Sequence, residues 1–355
     1  MKVDYIIVGL GLAGLAFAEQ LIHSGKSFVV FEDYSQTSSL VAGGVYNPVI
    51  LKRFTPVWKA KEQLATALPF YLSLEKKLNT TLDYKFLTRK VFKSIEDQNN
   101  WFLASDKPIL SDFMNSEIIS GKIDKIIGDH GFGEVYQTGR IDTHQLISTY
   151  RSYLKENHLI RNVKFDHSAI DFLKDVIHYK DILSKKIVFC EGFGVKQNPY
   201  FKDLPLKEAK GETLTIHAPD LNVTFLIKST LFVLPIGEDI YKVGATFNWK
   251  DKTSIPSQEG RKELIDKLKK VIQTPYTIID HSAGIRPTVK DRRPLVGIHP
   301  KHPQLAILNG LGTRGVMIAP SMAKELYGLL EEGIDLDPEI NCNRFFQTEG
   351  SHDQP

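Results

Sequence analysis

Residues 3–33 read VDYIIVGLGLAGLAFAEQLIHSGKSFVVFED, and the order of their parts decides the fold. The apolar run 5–8 predicts a buried strand. It leads into Gly9-Leu10-Gly11-Leu12-Ala13-Gly14, after which residues 15–22 continue at helical spacing. Residues 27–31 form a second apolar strand ending on Glu32 and Asp33. In such a unit the first glycine permits the tight turn and the second lets a pyrophosphate approach the backbone. The third lets helix and strand pack closely. The helix start at Leu12 and Ala13 offers N–H groups and the positive end of a dipole to the phosphates. Glu32, with Asp33 beside it, can accept hydrogen bonds from a ribose diol. A glycine triplet alone is common. Strand, glycines, helix, strand and acid in register predict a dinucleotide site, with nicotinamide and flavin dinucleotides both open.

At 355 residues the chain exceeds the size at which single cores stop growing, so one to three domains are expected. With 42% hydrophobic and 25% charged residues it falls among ordinary soluble globular proteins. A formal net charge of +3 is too small to argue for nucleic acid by itself. Two cysteines, Cys190 and Cys342, make neither a disulfide framework nor a metal-ligand pattern, so no metal is expected. The N-terminal apolar segment is broken by glycines and has no cleavage-type tail, and no stretch reaches the roughly 18 apolar residues of a membrane span. The expectation is a cytoplasmic protein.

Further along, residues 40–48 form a loop of small residues, LVAGGVYNP, suited to close approach of something large and flat. Residues 58–78 predict a helix; residues 84–87 and 91–95 predict short strands, and the rest of 82–136 reads as loops. Helical spacing returns over 144–156, and a buried strand over 186–190 ends in Glu191-Gly192-Phe193-Gly194. Alternating segments at 214–217, 224–228, 231–234 and 241–246 predict antiparallel strands, followed by an amphipathic helix over 258–272. The last informative run holds AGIRPT at 283–288, DRRPLVG at 291–297, a strand over 305–308, and Asn309-Gly310-Leu311-Gly312-Thr313-Arg314-Gly315 before a helix over 316–330. A second strand–glycine loop–helix unit thus closes the chain. The segment from Gln347 onward reads as frayed.

Taken together, these segments resemble the D-amino-acid oxidase superfamily of FAD-dependent oxidoreductases, with glycine oxidase and sarcosine oxidase as relatives. The resemblance covers nearly the whole chain in order: GLGLAG with Glu32, AGGVYNP, VFCEGFG, KVGAT, AGIRPTVKDRRPLVG and NGLGTRGVMIAP. It implies an α/β (α+β overall) fold: a Rossmann-like FAD-binding domain with an inserted antiparallel-sheet substrate domain. The implied FAD-binding domain takes residues 1–45, 137–211 and 283–355, and the substrate domain takes 46–136 and 212–282.

By that resemblance Gly9, Gly11 and Gly14 hold the pyrophosphate and Glu32 the adenosine ribose. Ser39, Gly43 and Gly44 lie near the flavin, Ile170 near adenine, and Gly192 against the cofactor. Gly310, Gly312, Thr313, Arg314, Gly315 and Val316 face the flavin pyrimidine ring, where a positive helix end stabilises developing negative charge. Arg286 is the sharpest substrate candidate, since the arginine of Gly-x-Arg-Pro grips a substrate carboxylate in amino-acid-oxidising relatives; a structural pairing with Asp291 or a helix carboxylate is the alternative. Phe247 is a candidate for a hydrophobic cover, or a core aromatic. Arg314, Tyr46, Arg53 and the adjacent Lys52 are further substrate candidates, a solvated or structural role being the alternative for the last three. No cysteine lies in residues 293–310, just before the C-terminal glycine loop, and no histidine lies in residues 40–48, the attachment points of relatives with covalent flavin, so FAD is expected to be held non-covalently.

The implied activity is oxidation of a C–N bond in a small amine or amino acid, with imine hydrolysis and reoxidation by oxygen or another acceptor. The LGTRG loop and Asn47-Pro48 also resemble the FAD half of the bifunctional tRNA wobble-uridine modification enzyme, which oxidises a carboxymethylaminomethyl group. Basic pairs at Lys52-Arg53, Lys185-Lys186 and Arg292-Arg293 leave room for a tRNA partner. A non-catalytic flavin-binding protein is the third alternative, disfavoured by the intact Gly-Ile-Arg-Pro motif.

Overall fold

The computed structural model describes residues 1–346, so the fraying expected from Gln347 onward lies outside the described residues. The chain divides into two compact units: Met1–Leu40, Gln145–Glu208 and the segment from Arg286 onward, and Val41–His144 with Ala209–Ile285.

The first unit is built on a sheet with the strand order Ile160–Arg161, Phe28–Phe31, Lys2–Val8, Ile182–Phe189, Ile177–Tyr179 and Ile170–Phe172. Lys2–Val8 pairs in parallel with Phe28–Phe31 on one side and Ile182–Phe189 on the other. The strand Ile182–Phe189 serves two neighbours along its length. Its beginning takes an antiparallel hairpin, with Ile177 opposite Ser184. Its end takes the parallel strand His302–Asn309, with Phe189 opposite Ile307. The central strands read as unbroken apolar runs because they are covered on both faces; Ile6, Ile7, Val30, Ile187, Val188, Leu305 and Ile307 are all buried. Helices Leu12–His23 and Gly315–Tyr327, each following a parallel strand, pack against one another.

The second unit carries a seven-stranded sheet, in the order Thr277–Val289, Leu206–His217, Ile240–Gly244, Phe232–Gly237, Leu226–Lys228, Thr88–Val91 and Phe132–Val135. Leu226–Lys228 runs parallel to Thr88–Val91, whereas Ile240–Gly244 pairs antiparallel with both Leu206–His217 and Phe232–Gly237, and Thr88–Val91 pairs antiparallel with Phe132–Val135. The mixed α/β architecture is the one the sequence implies.

The expectation of strands and loops over 82–136 needs correction. Strand Thr88–Val91 ends where residues 91–95 were expected to begin one, and Ile95–Ser105 is a helix, followed by the short helix Pro108–Ser111. Ser94 caps it, its hydroxyl accepting from Asp97 N at 3.2 Å, with Glu96 and Asp97 in the first turn. The cap and these acids outweigh the apolar pair Val91-Phe92 that suggested a longer strand.

A buried polar knot ties one end of this second sheet. Lys210 is 0% and Glu212 1% exposed. Lys210 Nζ donates to Asp251 Oδ2 at 2.5 Å and to the Ile255 carbonyl. Glu212 accepts from Ser257 N at 2.8 Å and Ser257 Oγ at 2.7 Å, and its carboxylate lies 3.5 Å from Lys210 Nζ. His281 Nε2 is 2.8 Å from Glu212 but is not aligned for a hydrogen bond. Removing one member leaves a dry charge behind. Glu212→Ala is therefore expected to cost about 3–5 kcal/mol of unfolding free energy, read by denaturant titration. A loss below about 1 kcal/mol, the level of a surface pair, would show that the knot carries no such stress.

Candidate active site

The turn between Lys2–Val8 and Leu12–His23 is sterically committed. Gly9 has φ +97°, and a β-carbon there would meet the Cys190 carbonyl oxygen at 2.6 Å. A β-carbon on Gly14 would sit 2.0 Å from the Gly9 carbonyl oxygen. Gly11 is the N-cap of the helix and gives it no side-chain cap; the Ser39 hydroxyl accepts from Leu12 N at a long 3.3 Å. Val8 opens into this turn beside Glu32, whose side chain is only 6% exposed. Glu32 Oε2 accepts from Leu10 N at 2.5 Å and Oε1 from Tyr34 N at 2.9 Å. Burial raises its pKa, and those two N–H groups oppose the shift. A carboxylate has about four acceptor sites, so lone pairs remain for hydroxyl donors. Asp33 is exposed and folds back on its own turn, accepting from Ser35 N at 3.0 Å and from the Ser35 hydroxyl. Ile170 packs at the edge of the first unit's core.

The C-terminal glycine loop belongs to the same unit. Gly312 N donates to Pro287 O at 3.1 Å and Thr288 bridges Leu311, which sets the Arg286 segment beside this loop. Gly310 and Gly312 have φ of +71° and +60°, and nothing stands within 4 Å of where a β-carbon on Gly312 would be. Arg314 is the N-cap of Gly315–Tyr327, again without a side-chain cap. Gly315 lies over the first helix's start: a β-carbon there would be 3.0 Å from Leu12 Cδ1. Two helix N-termini with no side-chain cap thus stand side by side, Val316 being in the first turn of the second. Burial lowers the Arg286 pKa to about 10, still charged at neutral pH. Burial also lowers Arg314, with Arg292 adding to the shift. Asp291, the alternative partner for Arg286, takes Arg344 Nε at 2.9 Å.

The remaining candidates lie in the second unit. Gly44 has φ +65°, and a β-carbon there would lie 1.8 Å from Ile141 O; one on Gly43 would touch Leu234 and Phe232 at an ordinary 3.6 Å. Tyr46 is buried and donates its hydroxyl to Asp83 Oδ1 at 2.7 Å, an attachment within the small sheet of Val45–Tyr46, Gly139–Ile141 and Asp83–Lys85. Phe247 is 58% exposed and so is not a core aromatic. Lys52 and Arg53 are exposed. Thr313, in the first unit's C-terminal glycine loop, is exposed.

Sequence reading passed over two polar residues here. Asn309 is buried, donates Nδ2 to Gly192 O at 2.8 Å and accepts from Gly310 N at 2.7 Å, so it latches the two glycine turns together. Glu191 accepts from Asn198 Nδ2 at 2.7 Å and meets His167 Nε2 at 2.8 Å, fixing the turn from the other side. The Asn-Gly pair at 309–310 was the available signal, and it reads as a turn rather than a latch.

A parallel sheet with helix starts at its carboxyl end, open glycine backbone and a buried acid defines a dinucleotide-binding fold. Residues 4–329 match the model of the family DAO, FAD dependent oxidoreductase, and the chain belongs to that family. Its cofactor is FAD. The chain is 24% identical over 205 residues to glycine oxidase of Bacillus subtilis, covering 54% of each chain. It is 20% identical over 349 residues to the tRNA 5-methylaminomethyl-2-thiouridine biosynthesis bifunctional protein MnmC of Marinobacter nauticus, which covers 90% of this chain and 54% of that one. The chain therefore spans about half the length of these curated relatives. Among solved structures, glycine oxidase from Bacillus cereus superposes with a TM-score of 0.78 at 16% identity, covering 94% of this chain and 96% of that one. L-proline dehydrogenase from P. horikoshii gives 0.79 at 13% identity, with 97% and 98% covered.

The residues present fit FAD. Glu32 keeps acceptor sites in a dry pocket, and the backbone at Gly192 and Gly312 lies open, with nothing nearer than Gln36 at 3.9 Å from a β-carbon on Gly192. Glu32→Gln removes the charge and keeps the shape. The expected outcome is a fall in FAD affinity of about 10- to 100-fold, the worth of a charge-assisted hydrogen bond, measured by titrating apoprotein with FAD. Unchanged affinity would remove Glu32 from the site.

Proposed function

We propose that the chain oxidises a C–N bond in a small amine or amino acid, with FAD held non-covalently. The observation that carries this reading is the half-buried, charged Arg286, set by the Pro287–Gly312 hydrogen bond beside a glycine loop and a helix start with no cap from its own N-cap residue. A planar guanidinium in a partly desolvated setting suits bidentate capture of a carboxylate. That grip fixes one end of the substrate and leaves the carbon bearing nitrogen to be oriented, which is the larger part of the task in such reactions. FAD, when bound, supplies the hydride acceptor. The N-terminus of Gly315–Tyr327 and the Arg314 charge favour negative charge developing nearby. Both thiols are buried, with Cys190 raised by burial and Cys342 pushed up to about 12, so neither is poised as a nucleophile for attachment.

A second reading keeps the chemistry and changes the substrate to a carboxymethylaminomethyl group on tRNA. What favours it is the extent of the likeness to MnmC, 349 residues against 205 for glycine oxidase. A carboxylate on that group would be equally suited to Arg286.

Anaerobic mixing of the flavoprotein with a panel of amino acids, secondary amines and modified tRNA separates the two. Bleaching by an amino acid is expected, with kcat/KM lowered by about 100- to 1,000-fold in Arg286→Ala, some 3–4 kcal/mol of lost charged contact, while flavin content is kept. Bleaching by modified tRNA alone selects the second reading. Bleaching by neither, or an Arg286→Ala variant as fast as the parent, would sink the assignment of Arg286.

A further inference from the structure

Within the second unit, a cleft of about 350 Å³ opens between residues 52–54 and the helix Ile95–Ser105. Its walls carry Lys52, Arg53 and Lys107, with Asn100 and Leu103 beside them and a single carboxylate, Asp97. Among the described residues none of the three cations has an ion-pair partner. Asp97 does not serve them. It is 3.4 Å from Lys90 Nζ and accepts from Lys93 N at 3.1 Å.

Below the cleft the positive charge continues. Lys90 is buried, and its ammonium lies 6.0 Å from the Phe54 ring, a lining residue. Lys228 is its register partner on the neighbouring parallel strand. Burial lowers the Lys228 pKa to about 8, and Lys90, Lys267 and Lys93 add to the shift. Like charges side by side on a sheet are unfavourable, and here one small carboxylate stands against them. An anion in the cleft would offset that repulsion.

We propose that this cleft binds phosphate groups, carried either by a free nucleotide or by a phosphodiester strand. Three outward cations and an amide donor match a tetrahedral oxyanion with several acceptors. Leu103, 68% exposed on the rim, offers apolar cover to a sugar or base. A flat bilayer surface fits less well, because the cations line a concavity. The site is separate in its residues from Arg286 and stands whether or not the C–N reading holds.

The test uses flavin-loaded protein, with flavin absorbance as the check on folding. Binding of a labelled single-stranded RNA and of labelled AMP is followed by fluorescence anisotropy, with inorganic phosphate as competitor and phosphatidylglycerol vesicles as a further probe. Saturable binding of RNA or AMP, displaced by phosphate, is expected. Lys107→Glu should weaken it about tenfold or more and Lys107→Arg should preserve it. RNA binding by three cations should fall about 20-fold between roughly 50 and 200 mM salt. Much tighter binding of RNA than of AMP identifies a strand as the source, and equal binding identifies the nucleotide. Absence of saturable binding to both, association with vesicles alone, or a folded Lys107→Glu protein that binds unchanged would each overturn the proposal.

Discussion

The contact on which the first unit depends is between backbone and backbone. Gly14 crosses Gly9 so closely that a β-carbon would lie 2.0 Å from the carbonyl oxygen, and Gly9 in turn lies against Cys190. Strand, turn, helix and the neighbouring strand's end are thereby locked into one arrangement. No side-chain packing could substitute for it, because the space is smaller than a methyl group. The same closeness leaves the helix start with no cap from its own N-cap residue and puts Glu32 within reach of Leu10 N.

Electrostatics in that unit point in one direction. Two helix N-termini lacking side-chain caps lie next to each other, and two arginines whose proton affinity is lowered by burial flank the second. Burying guanidinium groups is costly unless something anionic shares the space. FAD, the cofactor of the family, carries negative charge of the kind this setting favours, and FAD-dependent chemistry leaves the protein to orient and to supply charge.

The parallel core was legible because strands covered on both faces must be apolar throughout, and the glycine spacing identified the turn. Glu32 was legible as the acid closing the second strand. The helix Ile95–Ser105 was misjudged because the decisive signal was one serine cap, easily overshadowed by the apolar Val91-Phe92 before it. Asn309 was passed over because one of its partners, Gly192, lies 117 residues away in sequence while the other, Gly310, is adjacent. Such a latch exists only once both turns have been brought together. Arg286 came from likeness to a family and not from periodicity. Burial and the neighbouring glycine loop, which only the fold shows, supply its physical rationale.

The strand Ile182–Phe189, with its two different neighbours on one edge, also sets a schedule for the growing chain. Lys2–Val8 has its parallel partner Phe28–Phe31 early, but its other flank waits for residue 182, and that strand's own far end waits for residue 302. Pairings so distant in sequence carry loop-closure entropy before they return any stabilisation. During synthesis the glycine turn is therefore present long before the sheet that holds it is complete. The strand flanking this turn on its other side gains its own far neighbour only with residues 302–309. A ligand that binds only the assembled arrangement adds to its stability by mass action.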